Sequence, residues 1–383
     1  MDAWVDWLSQ QPDQRVVARW SGASEKNAGS VSELTSWTDL LGHSSVNVVA
    51  VAAGAFPERA TALRQLIDYG MPLVLEVPDF DPIFDCELAM IQAERKAVLA
   101  PYFPAALHPW VAQLRDWIAD PSRSPVGAID QVSIERIGMP EGRRTAVDAF
   151  AGDAIILRRL LGQFRQLQAM EGAGEGRGEM ASVHVRSAMG PMARWSLISA
   201  DAASTGRLVA RGTEGSLRID MQQRLSDWTA GVEWYRSVDA ERSRTVDWAK
   251  VDGWSGHLAS WEQVQSALAG RTIDFTWEDA YRSAELADLM ELSGRRGKTL
   301  DIHNQQVTER ETFKGIMSAV GCLLLLATPV LLVLGMVLQS VFAPFAAHPI
   351  WRLWPVMILL PLLIFLLAQA LQLVFPSRNS SKP

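Results

Sequence analysis

The sequence predicts an α/β protein with a parallel sheet, a second α+β region built on a large, mostly antiparallel open sheet, and two transmembrane helices. Three observations support this prediction. Continuous apolar runs alternate with amphipathic helical patterns up to about residue 122, which favours parallel strands with right-handed crossovers. From about residue 125, short segments alternate polar and apolar residues, which is typical of antiparallel strands. Near the C-terminus, two long stretches contain no charged residue.

The first region contains four predicted strands and three predicted helices. The strands are Arg15–Trp20, Val46–Gly54, Pro72–Pro78 and Ala97–Phe103. The helices are Phe56–Gly70, Pro82–Lys96 and His108–Ala119. Because strands and helices alternate at short intervals, we expect the strands to lie parallel in one sheet.

The second region contains six alternating segments, followed by two helices and a short strand. The alternating segments are residues 128–137, 163–170, 181–189, 193–200, 206–212 and 216–221. The helices are residues 260–270 and 276–294, and the last strand is residues 296–302. We expect Thr276 to be the N-cap of the second helix, with Glu278 and Asp279 in its positive first turn, and Gly294 to end it.

The C-terminal region, residues 305–383, is predicted to anchor the chain in a lipid bilayer. Helices at about 315–342 and 353–375 can each supply the ~20 apolar residues that span a membrane. A buried helical hairpin is the alternative, although soluble helices rarely lack a polar face. Lysines and arginines flank the two helices on their outer sides, and only Arg352 lies between them. The positive-inside rule therefore predicts a two-pass membrane protein with its soluble part and its C-terminus in the cytoplasm.

The composition disfavours several classes of function. The chain has 383 residues and a formal net charge of −7, without a basic segment dense enough to predict nucleic-acid binding. Its two cysteines, Cys86 and Cys322, predict neither a disulfide nor a metal site, because Cys322 lies in a very apolar stretch. The six histidines show no metal-ligand spacing. The acidic stretch MDAWVDWLSQ does not have the pattern of a secretory signal.

A candidate ligand site follows from the strand Pro72–Pro78. Glu76 stands at the carboxyl end of an apolar run, the position where open α/β sheets bind ligands, and Pro78 ends the strand. Val77 lies between them and offers no acid–base chemistry. Glu76 can therefore line a ligand pocket or simply end a strand, and the sequence supports both interpretations.

Four separated stretches resemble, in order, the Gfo/Idh/MocA oxidoreductases, the family of glucose–fructose oxidoreductase and inositol dehydrogenase. The stretches are residues 68–78 (DYGMPLVLEVP), 107–118 (LHPWVAQLRDWI), 211–219 (RGTEGSLRI) and 279–302 (DAYRSAELADLMELSGRRGKTLDI). The resemblance covers residues 3–303 and implies a Rossmann-like domain at 1–122 and an α+β domain at 123–304. It also implies NAD or NADP as cofactor, a small sugar-like or polyol-like substrate, and a homo-oligomer formed through the second sheet.

The sequence departs from the family pattern where the family carries its chemistry. The chain resembles the family from its first helix onward, so the strand and G-x-G-x-x-G turn that cradle the dinucleotide diphosphate are not matched. Val77 stands at the family's lysine position, and Gly54 begins the stretch that replaces its Thr-Pro pair. Asp148 is retained, but Gly152 stands at the position of the catalytic histidine.

Each candidate residue also has a purely structural interpretation. By resemblance, Asp148 is the catalytic candidate, whereas Glu76, Pro78 and Gly54 are the cofactor-binding candidates. In the structural interpretation, Asp148 is simply a residue near a helix N-terminus and Glu76 is simply the end of a strand. No metal site is predicted.

Several further residues are expected to be structural. We expect His108 to be a helix cap or a surface residue, His184 to lie on a sheet face, and Arg59 to be an exposed helical residue. Residues 171–180 contain three glycines but are not followed by a helix, so a hairpin loop is favoured over a phosphate loop. Aromatic packing under the second sheet is expected from Trp228, Trp234, Trp248, Trp254 and Trp261.

Three interpretations of the function remain open at this point. The chain is a membrane-anchored oxidoreductase-like protein with impaired or lost hydride transfer, a non-catalytic cytoplasmic module tethered to the membrane, or an active dehydrogenase whose start lies upstream of Met1. The first is preferred, because three independent departures from the family chemistry are better explained by its loss than by a misaligned position.

Overall fold

The computed structural model describes residues 1–20, 32–34, 36–42, 45–53, 58–77, 82–139, 143–172, 180–188, 190–199, 205–221, 228–233, 243–244, 253–302, 326–334, 336–337 and 357–360. The chain divides into two compact units, Met1–Asn304 and Gln305–Pro383. The predicted boundary near residue 122 lies within the first unit and stays a prediction.

The N-terminal part of the first unit contains two parallel sheets and four helices. The strands are β1 Ala18–Arg19, β2 Ser32–Glu33, β3 Val49–Val51, β4 Leu73–Glu76 and β5 Leu99–Tyr102. The helices are α1 Asp2–Ser9, α2 Arg59–Asp68, α3 Pro82–Arg95 and α4 Pro109–Ala119, with 3-10 turns at residues 37–40, 104–107 and 121–123. Strands β3, β4 and β5 form one sheet in that order, and β1 pairs with β2 in another. The predicted parallel α/β arrangement is confirmed, because every pair in both sheets is parallel.

The predicted strand Arg15–Trp20 differs from the observed one. Only Ala18 and Arg19 are in β conformation, and they pair with Ser32 and Glu33 rather than with β3. A strand needs a partner in register to extend its ladder, and among the described residues β1 has one only on the β2 side. The parallel architecture is therefore divided into a two-stranded and a three-stranded piece.

Apolar side chains explain why the three-stranded sheet forms. Leu73, Val74 and Leu75 of β4 are almost fully buried, as expected for a strand covered on both faces. On one face they meet the apolar side of α2, which supplies Leu63 and Leu66. On the other face, Val74 packs in a cluster with α1. Helix α2 ends where Gly70 takes a left-handed φ of +80°, as the sequence predicts.

The C-terminal part of the first unit is a nine-stranded sheet covered by helices on one face. Its strands are β6 Ile129–Met139, β7 Phe164–Gly172, β8 Met180–Ser187, β9 Met192–Ser199, β10 Thr205–Gly212, β11 Ser216–Met221, β12 Thr229–Glu233, β13 Ser243–Arg244 and β14 Leu300–Asp301. Its helices are α5 Arg143–Leu161, α6 Gly256–Leu268 and α7 Trp277–Arg296. The sheet order is β13-β12-β11-β10-β6-β9-β8-β7-β14. Only the central β6–β9 pair is parallel, so the predicted mostly antiparallel sheet is confirmed.

Helix α5 was expected only in so far as Asp148 was placed near a helix N-terminus, and its bounds were not predicted although its sequence has a clear helical pattern. Val147, Phe150, Ala151, Ala154 and Leu157 recur at helical spacing, and all are buried against the large sheet.

The N-cap of α7 is as predicted, but its C-terminus is not. The Thr276 hydroxyl accepts a hydrogen bond from the Asp279 N–H, and the Asp279 carboxylate accepts one from the Thr276 N–H, which forms a capping box. The helix continues past Gly294 to Arg296 and ends at Gly297, whose φ is +59°. Two glycines three residues apart made the end ambiguous, and the left-handed conformation falls on the second.

Helix α7 contributes to both apolar cores of the first unit. Trp277 and Tyr281, in its first half, belong to the core of the three-stranded sheet. Leu286 and Met290, in its second half, belong to the core of the nine-stranded sheet. Phe103, just after β5, packs against both cores as well.

The predicted transmembrane helices at about 315–342 and 353–375 lie mostly outside the described residues. Residues 326–334 are helical in the part that is described. Within the described residues, no helix has both the length and the apolar character needed to cross a membrane.

Candidate functional site

The carboxyl edge of the three-stranded sheet brings two polar residues together. Glu76 is the last residue of β4 and lies opposite Tyr102, the last residue of β5. Since the two strands are parallel and in register, both side chains project from the same face of the sheet. The crevice outside the carboxyl ends of the strands is where open α/β sheets bind ligands.

Polar groups of the chain already engage the Glu76 carboxylate. Its Oε1 atom lies 2.7 Å from the α-ammonium group of Met1, at the start of α1. Its Oε2 atom accepts a hydrogen bond of 3.0 Å from the Ala53 N–H, which follows β3. About a quarter of the Glu76 side chain remains exposed, so the carboxylate faces both the protein and the crevice.

Tyr102 forms a second polar pair with His257, near the start of α6. The Tyr102 hydroxyl lies 3.0 Å from Nδ1 of His257. The indole Nε1–H of Trp4 donates a hydrogen bond to the His257 carbonyl, and its ring packs 4.8 Å from that of Tyr102. We call Met1, Ala53, Glu76, Tyr102 and His257 the carboxyl-edge cluster.

The environment keeps this tyrosine and this histidine neutral near pH 7. Burial, followed by the negative charge of Glu76, raises the pKa of Tyr102 to about 12. Burial and then the positive charge of the Met1 ammonium lower the pKa of His257. The pair can therefore offer a hydrogen-bond donor and an acceptor to a small polar ligand. A phenol with so high a pKa is poorly matched to proton transfer at neutral pH.

The cofactor-binding candidates have three different outcomes. Glu76 is part of the cluster, whereas Pro78 and Gly54 lie outside the described residues. Val77 is 5% exposed and packs in the core of the three-stranded sheet. The position after Glu76 therefore points away from the crevice and into the protein.

The catalytic candidate Asp148 lies on α5 and is partly buried. It is the sixth residue of this helix, so the expectation that it belongs to the helix N-terminus is not met. Gly152 lies one turn later, and a Cβ atom there would be 3.7 Å from Cζ of Phe103. The Phe103 ring therefore lies against the backbone at the position that corresponds to the family histidine.

A neighbouring carboxylate, Asp153, is fully occupied by structural contacts. It accepts hydrogen bonds from Nε and Nη2 of Arg136 at 2.8 and 2.5 Å and from the indole N–H of Trp195 at 2.8 Å. Asp153 is 1% exposed, and its negative charge raises the pKa of Arg136. Sequence analysis missed this network, because Arg136 and Trp195 lie on different strands.

Three other expectations can be compared with the structure. His108 caps α4, accepting a hydrogen bond from the Trp110 N–H through Nδ1, but it is buried rather than a surface residue. His184 lies on β8 opposite Arg194 and partly exposed, as expected for a sheet-face residue. Arg59 is 7% exposed, so the expectation of an exposed helical residue is wrong.

Residues 171–180 join two antiparallel strands, as predicted. Glu171 pairs with Ala181 and Gly172 with Met180, while residues 173–179 lie outside the described residues. A β-hairpin position does not provide the helix N-terminus that a phosphate loop requires. This segment is therefore a strand connection.

The predicted tryptophan packing is only partly correct. Trp228 and Trp254 flank the ring of His108, at centroid distances of 4.3 and 4.6 Å, and Trp261 packs near Trp4 of α1. Trp234 and Trp248 lie outside the described residues. Of the predicted tryptophans, Trp228 belongs to the core of the large sheet, which also contains Trp195, Trp110 and Trp117.

Two residues of the cluster were missed by sequence analysis. Tyr102 ends an apolar strand just as Glu76 does, so the same strand-end argument identifies it. His257 carries no local signal, because its contact with Tyr102 spans 155 residues of sequence.

The described residues at this edge do not fit a dinucleotide diphosphate. Such a group needs bare N–H groups and positive charge at a helix N-terminus. The Glu76 carboxylate already accepts hydrogen bonds from the Met1 ammonium, at the start of α1, and from the Ala53 N–H. A phosphate placed there would meet a negative charge. Among the described residues, no group of three or more histidines, cysteines, aspartates or glutamates is placed to hold a metal ion.

Solved structures share the fold of this chain at low sequence identity. A myo-inositol dehydrogenase from Corynebacterium glutamicum aligns with a TM-score of 0.61 and 14% identity, over 79% of this chain and 95% of that one. A putative myo-inositol dehydrogenase from Sinorhizobium meliloti aligns with a TM-score of 0.60 and 18% identity, over 79% and 96%. GenD2 from gentamicin A biosynthesis, solved in complex with NAD, aligns with a TM-score of 0.60 and 19% identity, over 78% of this chain and 92% of that one.

These neighbours are Gfo/Idh/MocA-type oxidoreductases, so the chain has their fold. No protein-family model and no curated protein sequence matches the chain. The resemblance drawn from the four sequence stretches is confirmed at the level of the fold.

Proposed function

We propose that this chain is a membrane-anchored protein of the Gfo/Idh/MocA fold that has lost nicotinamide-dependent hydride transfer and uses its crevice to bind a small polar molecule. The resemblance favours a ligand of the sugar or polyol type. NAD and NADP are the cofactors that the fold suggests, and the proposal is that neither supports turnover here.

One observation carries this proposal. At the position where the family has its catalytic histidine, Gly152 packs against Phe103, with 3.7 Å between Phe103 Cζ and an added Cβ. Gly152 carries no imidazole that could accept a proton at this position, and the Phe103 ring lies at ordinary van der Waals distance from the place of a Cβ. The burial of Val77 supports the same conclusion, since no cationic side chain follows Glu76 into the crevice.

A cofactor titration tests the proposal. NADH and NADPH are added to the purified full chain, and energy transfer from tryptophan to the reduced nicotinamide is followed together with turnover of myo-inositol and glucose. We expect no saturable transfer and no cofactor reduction. A myo-inositol dehydrogenase of the same fold, assayed in parallel, serves as the positive control. Saturable binding coupled to reduction of NAD or NADP would contradict the proposal and favour an active dehydrogenase.

We further propose that residues 305–383 hold the protein in a bilayer, with the first unit and the C-terminus in the cytoplasm. The two uncharged stretches and the positive charges on their outer flanks support this arrangement. The full chain is expected to stay in carbonate-washed membranes, whereas a chain ending at residue 304 is expected in the soluble fraction. Extraction of the full chain by carbonate would argue against the anchor.

We also propose that a second copy of the chain covers the outer face of the large sheet. Met170, Met192 and Ile198 are 49, 55 and 41% exposed. Their strand neighbours Ala169, Ala193 and Leu197 are buried on the helix side, so these three side chains point to the opposite face. Exposed apolar side chains on an otherwise polar sheet face are a feature of association surfaces.

A further inference from the structure

A large cleft separates the two parallel sheets of the first unit. It has a volume of about 1440 Å³ and is lined along one side by residues 15–20, which include β1, and along the other by residues 45–53, which include β3. Small-molecule pockets have volumes of about 300–1,000 Å³, so this cleft is larger than most of them. Its two long sides are strand edges.

The edge of β3 presents backbone hydrogen-bonding groups to the cleft. Val49 donates its N–H to the Pro72 carbonyl, on the β4 side. Successive residues of a strand face alternate neighbours, so the N–H and C=O of Ala50 point the other way. Among the described residues, β3 pairs with β4 alone, and Ala50 is exposed although it lies mid-strand.

Met1 and Asp2, at the start of α1, contact the ends of two strands, β1 and β4. Arg19, at the end of β1, forms an ion pair of 3.2 Å with Asp2 at the start of α1. The neighbouring Met1 contacts Glu76, at the end of β4, which is parallel to β3. The end of β1 therefore lies near the carboxyl edge of the sheet that contains β3 and β4.

Helices close both faces of the cleft with apolar side chains. Trp4 and Leu8 of α1 and Trp261 of α6 line one face, and Leu63 and Leu66 of α2 line the other. A strand placed between two such faces must be apolar on both sides. Neighbouring strands lie about 4.8 Å apart, and a strand inserted beside β3 would pair with its free edge.

Charge at the amino end of the cleft further defines its occupant. Arg15 precedes β1, and Arg271 follows α6, which starts at the carboxyl edge and runs back along the sheet. The acidic residues of the lining are Asp2, which pairs with Arg19, and Asp13, so Arg15 and Arg271 outnumber the remaining negative charge. Among the described residues, neither arginine has an ion-pair partner. An acidic residue ahead of the inserted strand would meet this charge.

We propose that this cleft, the strand slot, binds a segment of a partner polypeptide as an added parallel strand. The segment consists of an acidic residue followed by about five consecutive apolar residues, the ordinary length of a strand. Main-chain hydrogen bonds to β1 and β3 supply the recognition, and the two helical faces select apolar side chains. The proposal does not depend on the loss of hydride transfer.

Peptide binding to the full chain in detergent tests the slot. The probe is the peptide Asp-Val-Val-Ala-Val-Val-Gly-Lys with a fluorophore on its lysine. Its binding is measured by fluorescence anisotropy, and the effect of binding on the protein is measured by amide hydrogen exchange. We expect saturable binding and slower exchange of the Ala50 amide. Replacing the central Val-Ala pair by Pro-Ala removes a donor from the strand and is expected to weaken binding at least tenfold.

A charge exchange makes the test specific for the orientation. Arg271→Glu is expected to lower the affinity for the Asp peptide by roughly two- to fivefold and to raise it for a peptide that begins with Lys. Arg296→Glu, an exposed change at the end of α7, is the matched control and is expected to alter neither affinity. Absence of binding, equal binding of the proline peptide, or unchanged exchange at Ala50 would overturn the proposal. Each of these outcomes would indicate another occupant, such as the chain's own segments or an acyl chain.

Discussion

Asp153 is a buried carboxylate whose two oxygens both accept hydrogen bonds. Arg136 and Trp195 donate three hydrogen bonds to it from two strands of the large sheet, while Asp153 itself comes from α5. The contacts join a helix to the two central parallel strands, β6 and β9. A buried charge of this kind is tolerated only while its partners are in place.

Removing this charge is expected to destabilise the protein strongly. Asp153→Asn should lower the free energy of unfolding by about 3 kcal/mol, the lower end for a broken buried pair, because a quarter of the Arg136 side chain stays exposed. Urea denaturation measures the change. Asp288→Asn, an exposed site on α7, is expected to change stability by less than ~0.5 kcal/mol. Equal effects of the two substitutions would show that the network is not structural.

His257 is expected to make stability depend on pH. Its pKa in the folded protein is lowered by burial and by the Met1 ammonium, while Glu76 and Tyr102 are the other ionisable groups of its cluster. The unfolded chain therefore binds more protons below about pH 6.5, and stability is lost as the pH falls through that value toward the folded pKa.

Denaturation between pH 7.5 and 5.5 measures this loss. His257→Gln is expected to reduce the pH dependence, whereas the remaining dependence belongs in part to His184, whose pKa is also lowered by burial. His184→Gln therefore serves as the comparison, and the double variant should show the smallest slope. An unchanged slope in His257→Gln would contradict the assignment.

Among individual residues, the sequence identified those whose role depends on their position in a strand. Glu76 was found because the end of a parallel strand is marked by the end of an apolar run. His257 and the Arg136–Asp153 pair depend on contacts between distant segments, and no local pattern indicates them. The buried state of Arg59 was missed for the same reason.

Single elements of the fold are specified mainly by their ends. The Thr276–Asp279 capping box was predicted in part, because Thr and an acidic residue three positions later are a local signal. Helix α7 then carries ten buried residues, so its N-terminus is fixed both locally and by packing.

Loss of the Thr276 cap is expected to weaken the protein moderately. Thr276→Ala should lower the free energy of unfolding by about 1 kcal/mol, because the Asp279 N–H loses its side-chain acceptor. Thr276→Ser keeps the hydroxyl and is expected to stay close to the wild type. Thermal or urea unfolding separates the two variants. A loss of similar size in both would point to the missing methyl group instead.

Elements whose length depends on a partner were predicted less well. β1 and β3 are shorter than their apolar runs, since a strand extends only as far as its ladder. The end of α7 at Gly297 rather than Gly294 depends on which glycine takes the left-handed conformation. The extent of helix α5 was not predicted, although its buried residues follow the helical period from Val147 to Leu157.

For the whole molecule, the order of strands and helices predicted the fold class correctly. The separation of the parallel sheet into two pieces was not predicted in its observed form, because the partner of β1 is β2, a segment with little strand pattern. The membrane anchor stays a prediction, since most of its residues lie outside those described.

If two copies associate as proposed, the protein mass measured in detergent should exceed that of a single chain. The full chain in detergent is expected to have at least twice the protein mass of one chain. Met192→Glu places a charge on the outer sheet face and should shift the protein toward the monomer. Met90→Glu, at an exposed site on α3, is the control. Light scattering with detergent correction measures the mass. A monomeric wild type, or equal behaviour of the two variants, would contradict the association.

Helix α7 and Phe103 each belong to two apolar cores at once, and this sharing limits how the first unit can move. A hinge opening of one half against the other would separate α7 from one of its two cores, so the unit has no hinge that opens at low energy. It should melt in a single calorimetric peak. Small molecules must then reach the crevice without a hinge motion of the unit.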